Sequence, residues 1–194
     1  MQIREAIIGE SRKPLDYPFQ KHSNALIEAM REKIQREQEL QELAQLAGIR
    51  DTESLRLLQA LGYTRDTVAL LPLTPLVRIA WAEGRVSKTE RDLILAIARS
   101  RGIDQETLAY DLLCVWLEER PAEQFLESSL RLFVEQVKRL PPEVRNLNER
   151  ELVSNCTRVA EASGTIVGFI KSSSRICKEE REMLKRINKE LSSS

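Results

Sequence analysis

Two carboxylates bracket a glycine in the segment Ala82-Glu83-Gly84-Arg85-Val86-Ser87-Lys88-Thr89-Glu90. Carboxylate oxygens are what a hard divalent cation such as calcium takes as ligands, so Glu83 and Glu90 are candidate metal ligands at one turn. Paired carboxylates in unlike surroundings can also move protons on a substrate. A carboxylate- or metal-dependent enzyme acting at the glycine turns is therefore the alternative to a non-catalytic role. Glu90 has a competing task. Ser87-Lys88-Thr89-Glu90 reads as a capping box, in which the serine and the glutamate each satisfy a backbone N–H at a helix start, and that task alone accounts for Glu90. Glu161 and Glu180 are the acids near a second glycine, Gly164. There Ser163 stands directly before the glycine, and Glu161 sits two positions earlier in another helical direction. Cys177 is a poor cap for the helix carrying Glu180, so an acid persists without its cap, as a helix-dipole preference or a ligand would require. Neither segment has the spacing of an EF-hand loop.

The stretch Thr165-Ile166-Val167-Gly168-Phe169-Ile170 is a second candidate. Apolar side chains in a connection are normally tucked onto a core. Exposed, Ile166, Val167, Phe169 and Ile170 would form a partner-binding patch. The following Lys171-Ser172-Ser173-Ser174-Arg175 has no glycines to cradle a phosphate.

Several chemistries are excluded by residue supply. The single histidine, His22, leaves no zinc site built on several histidines, and any histidine-dependent triad would hang on that one residue. Three cysteines, Cys114, Cys156 and Cys177, form no CxxC pair and read as free thiols of a reducing, cytoplasmic compartment. Of these, Cys177 lies at an expected helix start, where a thiol is most readily ionised. Thirty basic residues balance thirty acidic ones, which argues against nucleic acid, since phosphate contacts want a basic excess. The longest uncharged runs, Thr67–Val77 and Ala162–Ile170, fall short of the roughly 20 residues that span a bilayer.

The elements that must position these groups are helices. Aromatic residues make up 5% of the chain and glycines number seven, too few of either for a strand-built fold. Residues 1–20, with Pro14 and Pro18, read as an irregular arm. Ile27, Met30 and Ile34, then Leu40, Leu43 and Ala47, recur at helical spacing over 24–47, and Gly48 ends that helix. Asp51 caps a short helix stopped by Gly62. The next helix is expected from Pro72–Pro75 to Glu83. The apolar run Leu93–Ala98 marks the helix after the capping box as the centrally buried one. Asp104 is expected to cap a helix whose Leu108, Leu112, Val115 and Trp116 face inward. Pro121 opens a helix carrying Phe125, Leu132, Phe133, Val137 and Leu140. Asn148, with Glu151, is expected to cap another, and a last helix runs from Cys177 to Leu191. Trp81 and Trp116 belong to the core.

Two segments of the chain align. Arg78-Ile79-Ala80-Trp81-Ala82-Glu83-Gly84 matches Arg158-Val159-Ala160-Glu161-Ala162-Ser163-Gly164, and Val86–Leu93 matches Ile176–Met183 after a longer loop. Each copy is a helix, a glycine turn, an apolar residue and a helix. Neither can bury its apolar face alone, so the copies should pack together.

At these residues the chain resembles the TerB-like family of tellurite-resistance proteins, which includes the N-terminal region of certain membrane-anchored co-chaperones. The family pattern, close to Ala-Asp-Gly-x-hydrophobic-x-x-x-Glu, stands here as Ala82 to Glu90, and the resemblance covers roughly Pro72 to Leu191. The His-Pro-Asp signature of the J-domain is absent. The resemblance implies an all-α bundle of seven to eight helices with a TerB-like domain at 67–194, preceded in this chain by the arm at 1–20 and a helical extension at 21–66. It further implies a non-catalytic interaction module in a stress-response setting, with a protein partner and a divalent cation held by acids beside the glycine turns. A position in the cytoplasm, at most peripheral to the inner face of the membrane, follows from the family context.

Overall fold

The computed structural model describes residues 18–163, with side chains from Asn24 onward, together with Arg181, Glu182, Lys185, Ile187 and Lys189. All regular structure among the described residues is helical. The chain divides into two compact units, Met1–Leu40 and Gln41–Ser194.

Helix α1 runs Pro18–Ala47. It begins ahead of the expected Asn24 and takes in the last residues of the expected arm, because proline is tolerated in a helix's first turn. From Asn24 to Glu39 it is exposed. Lys33 faces Glu37 at 4.0 Å and Arg36 faces Glu32 at 3.9 Å, both pairs exposed and one turn apart. Such pairs support a helix by only about 0.3–0.5 kcal/mol each.

The second unit starts with the end of α1, where Leu43 is buried. Gly48 then turns the chain with φ 65°. Helix α2, Thr52–Ala60, is capped by Asp51, whose carboxylate accepts from the Ser54 N–H at 2.8 Å. A 3-10 segment, Val68–Leu73, leads directly into α3, Thr74–Ala80. Pro72 and Pro75 both fall in this run. Proline cannot donate to the preceding turn, and the chain meets that loss with a short 3-10 stretch before the α-helix begins.

Helix α3 is the centre of the unit, and all seven of its residues are buried. It packs on the 3-10 segment, on α4 (Lys88–Ser100), on α6 (Glu123–Lys138) and on α7 (Pro142–Ser163). The central place expected for α4 thus belongs to α3. On α4, Ile94, Leu95, Ile97 and Ala98 are buried, while Ala96 is exposed.

Helix α5, Leu108–Glu118, is capped by Thr107 instead of the expected Asp104. The Asp104 carbonyl accepts from the Thr107 hydroxyl at 2.7 Å, which holds the capping residue in place. The inward face of α5 is Ala109, Leu113, Trp116 and Leu117. Leu108 and Val115, expected inside, are 63% and 49% exposed. Both registers have helical spacing, so periodicity alone could not choose between them.

On α6 the buried positions include Leu126, Leu130, Phe133 and Val137, and Leu140 lies beyond the helix and outside the core. Helix α7 begins at Pro142, so Asn148 is an interior residue and not the expected cap. Its amide donates back to the Val144 carbonyl at 2.8 Å, and Glu151 accepts from Arg101 at 2.7 Å. Three aromatics lock α5 to α6 and to the α2–α3 connection. Trp116 meets Phe125 edge-on at 5.1 Å between ring centres, and Tyr63 stacks on Phe125 at 5.7 Å. The Trp81 indole N–H donates to the Trp116 carbonyl at 2.8 Å, so both tryptophans sit in the core as expected.

Candidate functional site

The first glycine turn is built as a helix end followed by a helix start. After α3, Trp81 closes the last turn, and the Gly84 N–H donates to the Trp81 carbonyl at 2.9 Å. Gly84 takes φ 81°, a left-handed conformation that costs an ordinary side chain energy. Ser87 then caps α4. Its hydroxyl accepts from the Glu90 N–H at 3.2 Å, and Glu90 Oε2 accepts from the Ser87 N–H at 2.7 Å. Both halves of the capping box are made.

This settles where the two carboxylates of the first turn lie. Glu90 is 2% exposed and one of its oxygens is committed to the cap. Glu83 is exposed in the turn. A cation drawing on both would take an oxygen away from the start of α4. Glu161 is exposed on α7. Glu180, with Ile166, Val167, Phe169 and Ile170, lies outside the described residues. Among the described residues no group of three or more His, Cys, Asp or Glu side chains is placed to hold a metal ion.

The two aligned segments lie on elements in contact, since α3 packs on α7. Ile79 and Val159 are fully buried, as are their neighbours Ala80 and Ala160. The match fails at the next position, where Trp81 is buried and Glu161 is exposed.

Sequence reasoning passed over Arg78. It is 3% exposed, within a helix that is otherwise apolar apart from Thr74. Its Nη2 donates to Glu123 Oε1 at 2.6 Å, and Arg120 holds the other oxygen of Glu123 at 3.0 Å. Partial burial pushes the Glu123 carboxyl up, but the hydrogen bond and charge of Arg78, joined by those of Arg120, outweigh it and hold the group below the usual carboxylate range. A signal was present: an arginine interrupts the apolar run Leu76-Val77-Arg78-Ile79-Ala80-Trp81, where a core helix should carry none.

Exposed apolar side chains gather on α1. Leu26, Ile27, Met30 and Ile34 are 60%, 45%, 59% and 55% exposed. Their spacing places them on one face of the helix, with Glu28, Glu32 and Glu39 on the opposite side. A shallow groove in the second unit is lined by Glu42, Gln45, Leu46, Arg65 and Asp66. Its charges already satisfy one another, with Arg65 bound to Glu42 at 2.9 Å and to Asp66 at 3.3 Å.

Taken together, the described residues define an all-α protein with a helical core around α3, and no described helix is long and apolar enough to cross a membrane. Comparison with protein-family models, curated proteins and solved structures finds no match to this chain.

Proposed function

We propose that the chain is a non-catalytic interaction module of the TerB-like kind, which docks a protein partner through the apolar face of α1 in a cytoplasmic stress-response assembly. The observation that carries this reading is the cluster Leu26, Ile27, Met30 and Ile34, about half exposed on one face of α1. In proteins most helical stability comes from packing of an apolar face rather than from propensity. A partner helix or groove that covered the stripe would supply that packing, in the manner of helix-in-groove recognition. The burial of Ile79 with Val159, and of Ala80 with Ala160, supports the related-hairpin reading that underlies the family resemblance. A divalent cation at the glycine turn would tune the module by competing with the Ser87 N–H for Glu90.

A photo-crosslinking amino acid tests the docking face directly. Placed at Met30 or Ile34, it should trap a discrete protein in the cells that make the chain. Placed at Glu32, on the opposite side, it should trap little. Equal trapping from both sides, or none from Met30, would refute the docking face.

A further inference from the structure

A guanidinium carries five N–H donors. At Arg78 the Glu123 carboxylate accepts through Nη2, while Nε and Nη1 find no acceptor among the described residues. Buried donors in native proteins nearly always have a partner, and a bound ion is one of the standard explanations when none is visible. The position of this guanidinium narrows the choice. It ends at Glu123, the first residue of α6, a helix of 16 residues. The N-cap of α6 is Ala122, which has no side-chain oxygen and makes no capping bond. An uncapped helix N-terminus presents free N–H groups and the positive end of the helix dipole. Arg120 adds a second guanidinium to the same carboxylate. Two arginines therefore hold a single carboxylate, carried by the first residue of that helix. Glu123 is itself 48% exposed, so its carboxylate has water as an alternative partner.

We propose that Arg78, Arg120 and the N-terminus of α6 form a binding site for a phosphate-sized oxyanion, with Glu123 as the resident carboxylate that the ligand displaces. A tetrahedral oxyanion offers several acceptor oxygens at once. It can serve both guanidiniums and the first backbone N–H groups of α6, where one carboxylate serves fewer donors. The released Glu123 turns to solvent, and no bond is made or broken beyond hydrogen bonds. This site is separate from the α1 face and stands or falls independently of it.

Equilibrium dialysis of the full chain against inorganic phosphate, in chloride buffer of fixed ionic strength, tests the site. Glu123→Gln removes the competing charge and should bind phosphate at least about tenfold more tightly than wild type. Arg120→Gln, on the surface and safe for folding, should weaken binding by about tenfold. Phenyl phosphate added as competitor separates the sources. Displacement assigns the site to phosphate monoesters as well as the free ion, and its failure restricts the site to the free ion. Absence of retention by both wild type and Glu123→Gln would overturn the proposal. So would retention that neither substitution changes.

Discussion

Single side chains divide here into those with one job and those with spare capacity. Asp51 has two partners. Arg139 donates a hydrogen bond to its carboxylate, and the Ser54 N–H donates another, and together they hold the carboxyl well below its ordinary value of 3.8. A carboxyl depressed in the folded state stabilises that state fully above its ordinary value, and the contribution is lost as pH falls through the folded one. Thermal midpoints recorded from about pH 2 to about pH 6 should therefore fall less steeply with acid in Asp51→Asn than in wild type. Cys156 is the opposite case, a fully buried thiol that burial pushes far above its usual range, and so a small core residue. Arg78 is the residue with donors to spare. An aligned arginine, Arg158, is exposed and donates to Asn155 at 3.3 Å, so the same letter in the two copies meets different surroundings.

Among the elements, the turn between α3 and α4 is the most fully specified. Its stability is local and predictable. Ser87→Ala removes the cap and should cost about 1 kcal/mol in chemical denaturation. Gly84→Ala should cost about 1 kcal/mol as well, although a methyl group there would meet nothing within 4 Å. That cost is purely conformational, so Gly84→Asn, which tolerates the left-handed region better, should recover part of it. This turn was legible in the sequence because its signals are short-range: a glycine, a serine and a glutamate at fixed offsets. The cap of α2 by Asp51 was legible for the same reason. The start of α7 was not, because Asn148 and Glu151 imitate a capping box inside a helix that Pro142 had already opened. The inward face of α5 was misread because Leu108, Leu112 and Val115 form one helical stripe and Ala109, Leu113 and Trp116 form another. Trp116, packed against Phe125 and Tyr63, belongs to the expected face and to the observed one, so only the burial of Ala109 and Leu113 decides between them.

At the scale of the whole molecule, the second unit has a helical core around α3, and the first unit carries a stretch of α1 whose Leu26, Ile27, Met30 and Ile34 are exposed. All-α architecture was readable from composition and periodicity. The central place of α3 was not, since its run is short, carries an arginine and opens on Pro72 and Pro75. The candidate site was half legible. The glycine-turn acids were visible, and the capping box that occupies Glu90 was visible with them. The α1 stripe was read as helical spacing, but its exposure depends on tertiary packing that no local pattern encodes. Core and stripe should respond to substitution in opposite ways. Ile79→Ala, at a fully buried position, should cost about 2–5 kcal/mol by leaving a cavity. Polar substitutions on the exposed stripe should leave core stability nearly unchanged.

The most direct test of the proposed role is therefore one comparison, between wild type and a chain carrying Leu26→Gln, Ile27→Gln, Met30→Gln and Ile34→Gln together. The proteins each retains from an extract of the cells that make it are compared, with thermal unfolding of both chains as the control. Docking through α1 predicts an unchanged main unfolding transition and loss of the partner that wild type retains. A variant that unfolds as wild type does and keeps the same partner would contradict it.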